Sequence, residues 1–155
     1  MIEGGIVDQA IDTIIANNTA SLSNLDESIE ALIEAAFNIQ QQYMDNFTEV
    51  SGRNGNKKGS RAPTVRARET NSGSKTLEIR WMRTTKTPDG KPLRKSFSKG
   101  NSASYSIGRI AKGAPEWEVA LITAAEQEFT KIRANYIKLS KIRRAISDIS
   151  TSLSQ

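Results

Sequence analysis

The stretch "TLEIRWMRTTKTPDGKPLRKSFSKG", residues 76–100, decides how the chain is read. Its first half alternates. Leu77, Ile79 and Trp81 fall on one side and Glu78, Arg80 and Met82 on the other, as the two-residue period of a strand requires. "TPDG" then predicts a tight turn, with Pro88 pre-setting its φ and Gly90 closing it. "LRKSF" predicts a returning strand whose Leu93 and Phe97 join the apolar side. Upstream, "TVRARE" places Val65 and Ala67 on one face and Arg66 and Arg68 on the other, before a turn at "NSGS". Downstream, "SYSIGRI" reads as a short last strand. The prediction is an antiparallel sheet of three to four strands, apolar and packed on one face, basic and exposed on the other.

Outward from the sheet the period changes to that of helices. In residues 1–50, Ile6, Ala10, Ile11, Ile14 and Ile15 form a short amphipathic set that stops near "ANNTAS". A second helix is expected to start with Ser21 or Ser23 as N-cap and Asp26 and Glu27 in its first turn. Its seam is Leu22, Leu25, Ile29, Leu32, Ala36, Ile39, Tyr43, Phe47 and Val50, over about 25 residues ending before Gly52. "SGRNGNKKGSRAP", residues 51–63, has nothing to bury and reads as a flexible basic loop. From Pro115 onward one long helix is predicted, with Trp117, Leu121, Ala125, Phe129, Ile132, Tyr136, Leu139 and Ile142 on its seam.

The fold class that follows is α+β, two long heptad-patterned helices flanking a small antiparallel β-sheet. The expected organisation is a single domain over residues 1–155: an acidic helical segment at 1–50, the loop at 51–63, the sheet at 64–112 and the C-terminal helix at 113–155. The helices should pair antiparallel, with the sheet resting near Trp117 and Leu121.

The chain contains neither cysteine nor histidine. Disulfides and zinc–thiolate sites are thereby excluded, and so are the usual general base near neutral pH and every histidine-dependent triad. No phosphate-cradling loop of the G-x-x-x-x-G-K-[ST] kind is present. The expectation is a protein that is not an enzyme, takes no cofactor or metal, avoids membranes and resides in the cytoplasm. Charge is strongly segregated. Residues 1–50 hold nine Asp or Glu and no Lys or Arg, whereas residues 51–112 hold sixteen Lys or Arg against three acids. The middle third therefore faces something anionic.

Double-stranded DNA is the anion that fits a ribbon of this kind, because the major groove admits two strands and arginine reads guanine edges or grips phosphates. Arg66, Arg68, Arg80 and Arg94 are the candidates for the exposed face. Arg83, Lys91, Lys95 and Lys99 flank the turn, where phosphates would be met. Lys57, Lys58 and Arg61, with Arg53, form an arm that adds salt-dependent affinity. The blander reading is that these bases only solubilise an edge strand and a linker. Trp81, Trp117, Phe97, Phe129 and Tyr136 lie in periodic apolar series and belong to the core; Tyr105, among serines, is the aromatic expected to be exposed. The competing function is a protein–protein interaction module, an adaptor or structural subunit in which the basic sheet and acidic helix are docking surfaces. The acidic helix could also cover the basic sheet as a DNA mimic, and the heptad seams are compatible with a homodimer.

"LEIRW", the strands after it, and "APEWEVALITAAEQEFTKIRANYIKL" together resemble the MobI-like auxiliary proteins of conjugative transfer. The resemblance spans roughly residues 64–140, and Leu77, Ile79, Trp81, Trp117, Glu118, Phe129, Ile132 and Arg133 carry it. It implies an accessory factor that recognises an origin of transfer and assists a relaxase. A weaker likeness runs from "RWMRTTKTPDGKPLRKSFSKG" to the β-ribbon of arm-type DNA-binding domains in phage integrases, which bind duplex DNA through a sheet. The acidic N-terminal segment and the basic loop match neither pattern.

Overall fold

The computed structural model describes residues 5–53 and 59–155. Helix α1 runs Gly5–Arg53, strands β1, β2 and β3 run Arg61–Glu69, Lys75–Lys86 and Pro92–Ser96, α2 is the short helix Ile107–Ile110, and α3 runs Glu116–Leu153. Two long helices flank one antiparallel sheet in the order β1-β2-β3, an α+β fold.

The predicted break near residue 16 does not occur. α1 is a single helix of 49 residues. "ANNTASLSN" is rich in residues that compete with the helix backbone, yet no Gly or Pro interrupts the chain there. Thr13, Thr19 and Ser28 turn their hydroxyls onto the carbonyls four residues back, so the helix absorbs them. Asn18 donates to Ser150 Oγ on α3. Ser21 and Ser23 are consequently interior positions rather than caps.

α1 and α3 pair antiparallel, as three contacts along their length show. Asn18 meets Ser150, the Arg143 guanidinium donates to Asp26 at 2.6 Å, and the Phe47 ring lies 5.4 Å from that of Trp117. The seam on α1 uses Ile29, Ile33, Ala36 and Tyr43, all buried. On α3 the buried stripe is Ile122, Ala125, Phe129 and Ile132, and it includes the charged Glu118, Glu126 and Arg133.

The sheet joins this core through one face. In β1 and β2 the residues directly opposite include Pro63 with Trp81, Val65 with Ile79 and Ala67 with Leu77. Val65, Ile79 and Trp81 are buried, and Trp81 sits edge-on to both Tyr43 and Phe129. Burying aromatic side chains of this size contributes about 1.5–3 kcal/mol each. The sheet meets α3 near Trp117 and Leu121, where Arg61 pairs with Glu118, and its contact continues farther along the helix to Glu126, Phe129 and Arg133. Ala67 and Leu93, expected on the packed side, are exposed: Ala67 borders an open cleft beside Ile33 and Phe37 of α1, and Leu93 lies on the hairpin of β2 and β3.

Two predicted elements are corrected. "SYSIGRI" makes no strand; its last four residues form α2, with the Ile110 N–H donating to the Ser106 carbonyl and Ile110 fully buried. The loop reading of residues 51–63 fails at both ends, since α1 continues to Arg53 and β1 begins at Arg61. Between them Gly59 packs so closely that a Cβ there would lie 2.7 Å from Trp117 Cη2 and collide with Glu118 and Phe47.

Candidate nucleic-acid interface

Partners across an antiparallel ladder share a face. The register puts Thr64 opposite Arg80, Arg66 opposite Glu78, and Arg68 opposite Thr76. It also puts Thr84 opposite Arg94, and Lys86 opposite Pro92. All of these lie on the side away from the helices. Arg66, Arg80 and Arg94 come from three different strands and line one shallow depression with Thr64, Met82 and Ser96. The alternation of bases in "TVRARE", "EIRWMR" and "LRKS" is therefore a real surface, with Arg68 beside it on β1.

Lys86 belongs to the same face at its far end and is exposed. Sequence reasoning missed it by following the strand only through "TLEIRWMR", although Lys86 continues the even-numbered series of β2. The one acid among these positions is Glu78, whose carboxylate accepts from Arg80 Nε at 2.7 Å. Both partners are about half exposed, so the pair contributes little and competes weakly with a phosphate.

The turn carries the second group of bases. Gly90 takes a φ of +83°, and its N–H closes on the Thr87 carbonyl at 2.9 Å. The Thr87 hydroxyl donates to the Asp89 carboxylate and holds its pKa below the ordinary value. Lys91 is exposed beside the turn. Arg83 and Lys95, partners across the β2–β3 ladder, are exposed as well but project from the opposite face of the ribbon. They do not join Arg66, Arg80 and Arg94. Lys99 folds onto the Gly100 and Ser102 carbonyls in the loop after β3.

The arm is divided. Lys57 and Lys58 lie outside the described residues. Arg53 ends α1 in an exposed pair with Glu49. Arg61, a predicted DNA contact, is only 4% exposed and is withdrawn from that role. Its Nε donates to the Ile110 carbonyl at 3.0 Å, and its terminal nitrogens donate to Glu118, to Ser60 Oγ and to the Lys112 carbonyl. Glu118 in turn accepts from the Ser60 N–H at 2.7 Å, and the Tyr43 hydroxyl donates to the Arg61 carbonyl. Burial, reinforced by the Glu118 charge, raises the Tyr43 pKa well above its usual value. Arg61 anchors the start of the sheet to α3; it does not face solvent.

A second buried pair supports the middle of the sheet. Glu126 accepts from both terminal nitrogens of Arg133, at 2.8 and 3.0 Å. It also takes the Trp81 indole N–H, the Tyr105 N–H and the Thr130 hydroxyl, each at 2.9 Å. Burial alone would push this carboxyl up, but the hydrogen bonds from Arg133, Tyr105 and Trp81 outweigh it and hold the pKa below the ordinary value. Tyr105 is buried rather than exposed, because Arg133 lies over its ring at 5.0 Å. These charges were missed because a Glu on a long helix ordinarily faces water. The available signal was their spacing, since Glu118, Ile122, Glu126, Phe129 and Arg133 recur at helical intervals beside the apolar stripe.

Among the described residues no group of three or more His, Cys, Asp or Glu is placed to hold a metal ion, and no helix is long and apolar enough to cross a membrane. The family model described as MobI protein matches residues 32–147. The match takes in the half of α1 that packs on the sheet, the whole sheet and both buried ion pairs. No curated protein and no solved structure matches the chain.

Proposed function

The chain belongs to the MobI family, accessory proteins of conjugative mobilisation, and we propose that it serves there by holding duplex DNA against the open face of its sheet, at the origin of transfer and in aid of a relaxase. The observation that carries this reading is the convergence of Arg66, Arg80 and Arg94, from three strands, on one solvent-facing depression. A sheet face of this width enters the major groove, where arginine forks pair with guanine edges. Arg68 and Lys86 extend the face along the groove. Lys91, at the ribbon tip, meets a flanking phosphate, Lys57 and Lys58 add contacts from the segment between α1 and β1, and Arg83, Lys95 and Lys99, off this face, reach only phosphates that lie beyond its edge. Phosphate contacts supply salt-dependent affinity, and the three central arginines supply what sequence preference there is. The helices are scaffold in this mechanism, and no catalytic step is assigned to any residue.

Fluorescence anisotropy with a labelled origin-of-transfer duplex and a random duplex of equal length tests it. The expected result is binding to both, tighter to the origin, with affinity lost in the triple variant Arg66→Ala/Arg80→Ala/Arg94→Ala while its circular dichroism is unchanged. A folded triple variant that binds both duplexes as the parent does would overturn the reading.

A further inference from the structure

The β2 strand has an edge that β3 leaves open. The Thr70 N–H bonds to the Ser74 carbonyl, and the Thr84 N–H to the Ser60 carbonyl. Both bonds obey the register that pairs Arg66 with Glu78. In an antiparallel ladder hydrogen-bonded pairs alternate, so the even-numbered residues of β2 bond to β1. Leu77, Ile79 and Trp81 direct their N–H and C=O groups the other way. β3 meets that edge only as far as Trp81, whose carbonyl takes the Phe97 N–H at 3.0 Å, and the chain then departs.

What remains is a groove of about 510 Å³ between this edge and α3. Leu77, Ile79, Phe97, Tyr136 and Ile137 supply apolar walls. Side chains cap two of the edge carbonyls at long range: Tyr136 donates to Lys75 and Arg133 to Ile79, both at 3.3 Å. Among the described residues, no hydrogen bond meets the Leu77 N–H, the Leu77 carbonyl or the Ile79 N–H on this side. Arg133, only 7% exposed, lines the same groove, and its Nε finds no acceptor. Arg80 and Lys99 stand at the rim.

We propose that this edge takes an extended peptide of a partner protein, which adds to β2 as a short strand in the line β3 abandons. Such strand addition uses main-chain hydrogen bonds for affinity and alternate side chains for selection. The unmet Leu77 and Ile79 groups supply the main-chain partners. Apolar side chains of the peptide enter the groove against Ile137 and Phe97, and the alternate, acidic ones face the other way, toward Arg80 at the rim. The favoured sequence therefore alternates apolar and acidic residues. This site does not depend on the DNA reading, since its main-chain partners lie on the strand edge and only Arg80 is common to both surfaces.

The test is selection of a phage-displayed library of random dodecapeptides on the full chain, with Ile137→Glu as the counter-target. Ile137 is 40% exposed, so the substitution blocks the groove without emptying the core. Enriched peptides should alternate apolar and acidic residues and bind Ile137→Glu at least about tenfold more weakly, a difference near 1.4 kcal/mol. They should also slow amide exchange at Leu77 and Ile79. Failure to enrich any peptide over the Ile137→Glu background overturns the proposal, as do bound peptides that leave those two amides exchanging at the free rate. Self-association that protects the same amides and is abolished by Ile137→Glu assigns the edge to a second copy, and likewise overturns it.

Discussion

Arg61 and Arg66 stand five positions apart on one strand, and their surroundings differ in nearly every respect. Arg61 is enclosed, with its donors spent on Glu118 and two backbone carbonyls. Arg66 is exposed on the outer face, in the depression it shares with Arg80 and Arg94. The same contrast separates Arg133, fastened to Glu126 beneath the sheet, from Arg80 on its surface. A guanidinium enters the interior only where a carboxylate and carbonyls satisfy its fork. Where they are absent it stays hydrated and available to an outside anion. Arginine thus has two uses: Arg61 from the middle third and Arg133 from α3 lock sheet to helices, and Arg66, Arg80 and Arg94 form the surface that the locked sheet displays.

Truncating the buried side of this comparison should give the largest effect. Glu126→Ala strands the Arg133 guanidinium and the Trp81 indole together, and stability measured by urea unfolding should fall by about 3–5 kcal/mol. The conservative change has a pH signature. The Glu126 carboxyl is held below its ordinary 4.5 in the folded state. Its stabilising contribution is therefore complete above that value and disappears as the pH falls through the lower folded value. The melting temperature of the parent should drop on acidification through this window by more than that of Glu126→Gln, and parallel curves would show that Glu126 does not titrate as described.

Gly59→Ala probes the seam between the regions. Its new methyl would meet Glu118, Phe47 and Trp117, and overpacking of this kind costs about 1–3 kcal/mol. Calorimetry would check this, and an unchanged melting temperature would mean that the Gly59 backbone can retreat. On the exposed side, stability should hardly register. Arg66→Ala alone should stay within about 0.5 kcal/mol of the parent in urea. Its preference for the origin duplex over a random one should shrink by about 1–3 kcal/mol, the share of one guanine contact, as competition anisotropy would show. A large stability loss there would erase the distinction between the two arginine populations.

Much of the architecture was legible from residue order. The period-two run at 76–83 and the "TPDG" turn placed β2 and its hairpin, and alternation put Arg66, Arg68, Arg80 and Arg94 on one face. The legible part was local, because strand and helix periods repeat within a few residues and glycine and proline act on their own turn. The break drawn at "ANNTAS" failed because helix propensity is a weak prior that tertiary contact overrides, here through hydroxyls folded onto the helix and the Asn18–Ser150 contact.

By itself, then, the sequence determined the alternation of helix and strand, the acidic and basic thirds, and which strand face carries arginine. Tertiary structure alone decided which charges leave water. Arg61 finds Glu118 across 57 positions, and the Trp81 indole finds Glu126 across 45. Desolvating a charge is costly until its partner arrives, and partners that distant leave no local period to read. For the same reason Tyr105, polar by its neighbours in sequence, is interior by its neighbours in space.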